Sequence, residues 1–247
     1  MWDPAVYRRY ADERSRPFAD LVARIGARAP RTVVDLGCGD GELTATLAER
    51  WPAATIKGID SSPEMIAKAK ILAEERDIAT WRPDGEDVVV TNAALQWVPG
   101  HQELISEWMA ALPDGAWFAM QVPGNFDAPS HRALRELARS EEYAIEGIRD
   151  APVDDAAGYA ARLSEIASVD AWETTYVHLL PATGPDHPVL SWMEGTALRP
   201  VKAALDDTRW QAFRASLGRR LAEVYPARSG HVAFPFRRIF VVAHKGE

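Results

Sequence analysis

Apolar residues along this chain alternate between helical spacing and short continuous runs. Phe18, Leu21, Val22 and Ile25 recur at intervals of three and four and predict a helix over residues 17–25. Thr32–Leu36 is a β-branched run that stops at a glycine cluster, the pattern of a buried strand with a loop at its carboxyl end. Residues 43–51 are periodic again and end before Pro52, which predicts a helix. A second strand is expected over 55–59. After it, Ser61-Ser62-Pro63-Glu64 reads as a helix start: serine caps, proline suits the first turn, and glutamate favours the positive end of the dipole. That helix is expected to run on through residues 65–73. Further strands are expected at 87–91 and 117–122, with a helix at 104–112 between them.

From Ser130 the spacing is mainly helical, over Leu134, Leu137 and Ala138, then residues 190–198 and 210–225. Two late strands interrupt it, at 171–179 and 238–243. Strands alternating with helices predict an α/β, Rossmann-like fold: a mostly parallel sheet with helices on both faces. A late antiparallel strand pair is expected to close one edge. The expected organisation is one domain over 1–247. Residues 1–30 form an N-terminal lid and first helix, and 31–125 the cofactor-binding core. Residues 126–235 form a largely helical substrate cover with a late strand, and 236–247 the final strand. Open α/β sheets bind ligands at the carboxyl ends of their strands, where such a cover would lie.

Composition narrows the function. The chain has 247 residues and a formal net charge of −8, so no global positive field exists to hold a nucleic-acid backbone. Cys38 is the single cysteine, which excludes an internal disulfide framework and fits a reducing compartment. The opening Met1-Trp2-Asp3-Pro4 lacks a signal pattern and no apolar run reaches membrane-spanning length. The expectation is a cytoplasmic, monomeric protein that acts on a small molecule, without nucleic-acid or membrane partners.

The sharpest motif is Asp35-Leu36-Gly37-Cys38-Gly39-Asp40-Gly41, with three alternating glycines between a strand and a helix. Glycine there permits a tight turn and lets a ligand approach the backbone. A dinucleotide fingerprint starting at Gly37 would need its third glycine at position 42, which is Glu42. With Asp35 and Asp40, that side chain would repel a pyrophosphate at the helix N-terminus. A ligand bearing a sulfonium and an ammonium is not repelled, so the charges favour S-adenosylmethionine over NAD. Asp60 ends the second strand about twenty residues beyond the loop, where an acid holds ribose hydroxyls. It could equally help to cap the next helix. Asp77 is a further candidate, after the expected third strand.

These residues resemble the class I S-adenosylmethionine-dependent methyltransferases, and within them the trans-aconitate methyltransferases. The resemblance covers nearly the whole chain. It is carried by Tyr7, Tyr10 and Glu13-Arg14-Ser15-Arg16-Pro17, by the glycine loop, and by Gly58-Ile59-Asp60-Ser61-Ser62-Pro63. It continues through Asn92-Ala93-Ala94-Leu95-Gln96-Trp97, Gly195-Thr196-Ala197-Leu198-Arg199-Pro200 and residues 234–243. It implies a cofactor site at Asp35, Gly37, Cys38, Gly39, Asp60, Ser61, Asp77 and Asn92, with Asp77 on the adenine. The implied reaction moves a methyl group to a carboxylate of a tricarboxylate, giving a monomethyl ester and S-adenosylhomocysteine. One departure stands out: residues 71–76 are short and polar where the family has a third strand, so that strand is expected to be reduced or the segment shortened.

A tricarboxylate calls for guanidinium groups, which grip carboxylates through two parallel bonds. Arg14, Arg16, Arg199, Arg237 and Arg238 are the candidates, and Arg14 and Arg199 lie in segments that match the subgroup. Tyr7, Tyr10, Tyr176, Tyr225 and His178 could add hydrogen bonds. Tyr10 and Arg14 are four apart, on one face if the segment is helical. Trp97 follows the fourth strand and is either a pocket wall or a core residue. The expected substrate-binding set is Tyr7, Tyr10, Arg14, Trp97, Arg199 and Tyr225. No catalytic side chain and no metal are expected, because a carboxylate with a pKa near ~4 is already ionised. Proximity and orientation then carry the reaction. Cys38 reads as a small loop residue. His101, His131, His187 and His231 read as surface or structural.

Overall fold

A computed structural model describes residues 11–148 and 152–246. Its elements in chain order are α1 (Ala11–Val22), β1 (Thr32–Leu36), α2 (Glu42–Arg50), β2 (Thr55–Asp60), α3 (Pro63–Ile66) and β3 (Leu72–Glu75). After the 3-10 turn Ile78–Thr80 come β4 (Val88–Asn92), the 3-10 turn Leu95–Trp97, α4 (His101–Ala111) and β5 (Trp117–Pro123). The chain continues with α5 (Pro129–Ala138), α6 (Ala156–Leu163), β6 (Ser168–Pro181), α7 (Pro188–Glu194), α8 (Arg199–Ala204), α9 (Asp207–Val224) and β7 (His231–His244).

The strands form one seven-stranded sheet in the order β3-β2-β1-β4-β5-β7-β6. β1 runs parallel to β2 and β4, β2 to β3, and β4 to β5, while β7 is antiparallel to β5. The Rossmann-like reading holds, as does the late antiparallel strand. The four inner parallel strands β1, β2, β4 and β5 lie where the sequence pattern put them.

Two compact units divide the chain. The first contains Arg14–Pro123, Pro152–Thr174 and Arg238–Glu247, and the second Gly124–Ala151 and Thr175–Arg237. Each has its own core. In the first, Val34, Leu36, Val89, Phe118 and Met120 line the sheet against Trp108 of α4 and Tyr159 of α6. In the second, Leu134, Trp192, Phe213, Leu217 and Phe234 pack together. β6 and β7 each run through both units.

The structure corrects several boundaries. α1 begins at Ala11 and contains Pro17 instead of starting there. The helix expected over 65–73 ends at Ile66, and the chain returns to the sheet as β3, a strand the sequence pattern did not show. The cause is tertiary. Ile71 packs so closely that a Cβ on Gly41 or Gly58 would stand 2.8 Å from one of its carbons. β3 has one neighbour and is partly exposed, so its Leu-Ala-Glu-Glu sequence needs no apolar run; Glu74 pairs with Lys57 diagonally across the two strands. The helix expected at 190–198 is split: α7 stops at Gly195 and α8 begins at Arg199. α6 was not expected. Asp155 caps it by accepting the Gly158 N–H at 2.7 Å, and Tyr159 is buried against His101 Nε2 at 2.7 Å.

At the amino ends of β1 and β4, Asp87 ties the sheet together. Its carboxylate accepts the N–H groups of Arg31 at 2.6 Å and Thr32 at 3.1 Å, and pairs with the Arg31 guanidinium. Burial pushes this carboxyl up, but those hydrogen bonds more than offset it and hold it below its ordinary value of 3.8. A depressed carboxylate adds stability that is present above the unfolded-state value and lost as pH falls through the folded-state one. Asp87→Asn should therefore destabilise the protein by about 1–2 kcal/mol at neutral pH through weakened bonds to the two backbone donors. Denaturant melts at pH 7 and pH 3 check this: the gap between variant and wild type should narrow at pH 3, and a constant gap would contradict the account.

Candidate cofactor site at the carboxyl ends of the strands

The loop after β1 is built by left-handed glycines anchored to β2. Gly37 has φ +83° and Gly39 φ +59°, conformations that side-chain-bearing residues adopt at a cost. The N–H groups of Gly37 and Cys38 both donate to the Ile59 carbonyl, at 2.7 and 3.1 Å. The Gly39 N–H donates to Asp60 Oδ2 at 3.0 Å, and the Ser62 N–H to Asp60 Oδ1 at 2.9 Å. Asp60 therefore fastens the loop and turns the chain into α3, whose N-cap is Ser62 and not Ser61, which is exposed.

The two glycines differ in their surroundings. A Cβ on Gly37 would sit 2.3 Å from the Ala94 Cβ, so this glycine serves close packing of the chain after β4. A Cβ on Gly39 would meet no atom within 4 Å. That open backbone is the cradle a ligand can approach. Cys38 faces inward, with its Sγ near Gly58, and burial first, then the Asp35 and Asp60 charges, push its thiol up to about 12. It is a packed small side chain with no thiolate to offer.

Beneath the loop, Asp35 is 3% exposed and accepts one side-chain bond, from Thr44 Oγ1 at 2.5 Å. Burial raises it to about 6, the Thr44 bond opposes this, and the Asp60 charge adds to the rise. At the end of β4, Asn92 Oδ1 is buried without a hydrogen-bond partner among the described residues. The next residue, Ala93, has φ +54°, a strained conformation for a residue with a Cβ. Its N–H donates to the Gln121 carbonyl at 2.9 Å, and its own carbonyl accepts from Gln96 Nε2 at 2.6 Å. A strained turn, an open glycine and an unmatched carbonyl oxygen fit an adenosyl amino acid, which brings N–H and O–H donors and positive charge.

The structure thus gathers Asp35, Gly37, Cys38, Gly39, Asp60 and Ser61 around one loop, with Asn92 at the end of β4, two strands from β2. Asp77 follows β3 and is exposed. One of its oxygens caps the 3-10 turn through the Ala79 N–H at 2.9 Å. Trp97 is 47% exposed, which excludes the core alternative. Arg199 is exposed at the start of α8, in the second unit. Tyr225 lies in that unit's core, with its hydroxyl accepting the Ser130 N–H at 3.3 Å. Tyr7 and Tyr10 lie outside the described residues, as does the Arg14 side chain. Gln121 was missed by the sequence reading. The available signal was an amide inside the apolar run of β5.

Comparison with known proteins agrees with this geometry. A family model described as a methyltransferase domain matches residues 7–158. A trans-aconitate 2-methyltransferase from Mycobacterium sp. (strain KMS) is 53% identical, with 100% of each chain covered. One from Rhodococcus jostii (strain RHA1) is 54% identical, covering 98% of this chain and 99% of the relative. Among solved structures, the YcgJ protein from Bacillus subtilis superposes with a TM-score of 0.60 at 13% identity, over 94% of this chain and 99% of that one. The chain therefore belongs to the methyltransferase-domain family, alongside full-length relatives that are named trans-aconitate 2-methyltransferases.

Proposed function

We propose that this protein is an S-adenosylmethionine-dependent carboxyl methyltransferase that esterifies trans-aconitate. The observation that carries the reading is identity above half over the full length of relatives bearing that name. Bound S-adenosylmethionine supplies a methyl group on a sulfonium, and its transfer to a carboxylate oxygen leaves S-adenosylhomocysteine and a neutral ester.

The residues of this chain then have three tasks. Gly37, Cys38 and Gly39 hold the loop open for the cofactor, while Asp60 keeps an accepting lone pair on each oxygen for ribose hydroxyls. Asn92 Oδ1 accepts from an N–H of the cofactor, and Asp77 and Ser61 bound the adenosine side. Asp35 supplies negative charge beneath the loop. It lies behind the cofactor and keeps the site favourable to a cation. Trp97 offers an exposed ring to wall the acceptor side. No proton need be moved, because the acceptor is ionised at neutral pH. A site that excludes water then favours the union of anion and cation.

The first test is methyl transfer to a panel of small di- and tricarboxylic acids, with phenol and amine controls. Turnover of trans-aconitate to a base-labile ester is expected; turnover confined to the phenol or the amine would overturn the acceptor class. A second test separates the glycines. Gly39→Ala should cost about 1–2 kcal/mol of stability from the left-handed backbone yet weaken cofactor binding at least about tenfold by filling the cradle. Gly37→Ala should cost roughly 2–5 kcal/mol, because strain and overlap add. Calorimetric melts with cofactor titrations check both, and equal cofactor affinity in Gly39→Ala and wild type would refute the cradle.

The third test uses pH. The folded-state value of Asp35 is raised to about 6 from 3.8, so its ionisation costs the cofactor-free fold stability as pH rises through that window. A bound cation reverses the preference. Cofactor affinity should fall as pH drops below about 6, by at most ~10-fold per unit, and Asp35→Asn should bind weakly with no such slope. A flat wild-type profile between pH 5 and 7 would remove Asp35 from this role.

A further inference from the structure

The face of the sheet that carries Asn92 also carries a buried polar pair that no part of the cofactor site uses. Asn92 stands opposite Gln121 in the β4–β5 register, and Gln121 opposite Phe240 in the β5–β7 register. One step of two residues further, Pro123 stands opposite Arg238. Side chains alternate along strands and cross-strand partners share a face. Asn92, Gln121 and Arg238 therefore point from the same face, at the carboxyl ends of β4 and β5 and at the point where β7 begins to pair with β5.

Gln121 is fully buried and Arg238 is 6% exposed. Arg238 Nη1 donates to Gln121 Oε1 at 3.3 Å. The other end of the amide, Nε2, is buried with no partner among the described residues. A buried donor left unmatched costs free energy, and here it lies within one side-chain length of a guanidinium with five donors in a planar fork. The ligand that suits an amide N–H beside such a fork is a planar anion with two oxygens, a carboxylate.

We propose that Gln121 and Arg238 together receive a carboxylate of the acceptor, Gln121 through Nε2 and Arg238 through its guanidinium edge. This rests on the carboxyl methyltransferase reading. The pair sets specificity by elimination. A carboxylate gripped by charge-assisted bonds has its lone pairs engaged and is the poorer nucleophile, so it is the group that is spared. A second carboxylate of the same molecule, free of that grip, takes the methyl. Such a site selects polycarboxylates over simple acids. Both residues belong to the first unit, as does the glycine loop.

Gln121→Glu is the discriminating variant. The new carboxylate pairs with Arg238 and keeps the fold, but it removes the Nε2 donor and repels an anionic acceptor. With wild-type turnover of trans-aconitate as the control, the KM for trans-aconitate should rise about 10- to 100-fold. The affinity for S-adenosylhomocysteine should be unchanged and the melting temperature unchanged or higher. An unchanged KM in a folded variant would overturn the proposal and leave the pair a structural one, with the acceptor class intact. Arg238→Lys keeps the charge and loses the fork, and it decides the matter where Gln121→Glu does not fold: a raised KM at constant cofactor affinity supports the proposal, and an unchanged KM overturns it. No wild-type turnover on any acid would overturn the acceptor reading, and this inference with it.

Discussion

The end of β2 holds the loop after β1, and the chemistry of the site depends on that tie. Ile59 takes two loop N–H groups on its carbonyl and Asp60 takes a third on its carboxylate. Loops that cradle phosphates leave those donors free to face the anion. Here they are already used within the protein, and the side chains around the loop are Asp35, Asp40, Glu42 and Asp60. The same bonds that fix the loop's shape thus remove its capacity for a diphosphate. What remains is an open backbone at Gly39 in an acidic setting, which suits a cationic ligand. The preference for an adenosyl sulfonium over a dinucleotide therefore has two sources, charge and spent hydrogen bonds, and the sequence displays only the first.

β4 and β5 support this arrangement by staying apolar until their carboxyl ends. Val88, Val89 and Val90 of β4 and Phe118, Ala119 and Met120 of β5 are fully buried. Polarity begins at Thr91 and Asn92 on one strand and at Gln121 on the next. Buried amides at the ends of otherwise apolar strands are costly to keep. Their clustering on one face beside a strained Ala93 is the pattern expected where strain and unmatched donors serve a ligand and not the fold.

Much of this architecture was legible because inner strands of a parallel sheet are buried on both faces and so read as continuous apolar runs. β1, β4 and β5 needed nothing more. β3 failed that test as an edge strand with a mixed sequence. The end of α3 could not be read locally either, since it is set by Ile71 reaching Gly41 and Gly58. In the site, Gly37, Gly39 and Asp60 were visible by spacing, but the division of labour was not: two glycines with the same backbone conformation serve packing and access separately. The surroundings of Tyr225 were not legible either. Its ring packs inside a core and its hydroxyl accepts the Ser130 N–H, and no pattern of residue types reports that.

Asp35 and Asp87 show how the molecule distributes its charge. Both are aspartates at the ends of sheet strands, yet burial wins at Asp35 and hydrogen bonds win at Asp87. The difference lies in donor supply. Asp87, at the amino ends, has two backbone amides and a guanidinium. Asp35, at the carboxyl end of β1, has one hydroxyl. The fold neutralises acid at the amino ends of the strands and leaves it under-compensated below the glycine loop. A cation arriving there meets a carboxylate whose ionisation the fold alone disfavours, so binding and deprotonation assist each other. In the role proposed for Asp35, the site's affinity for a positively charged cofactor is coupled to a proton equilibrium near 6.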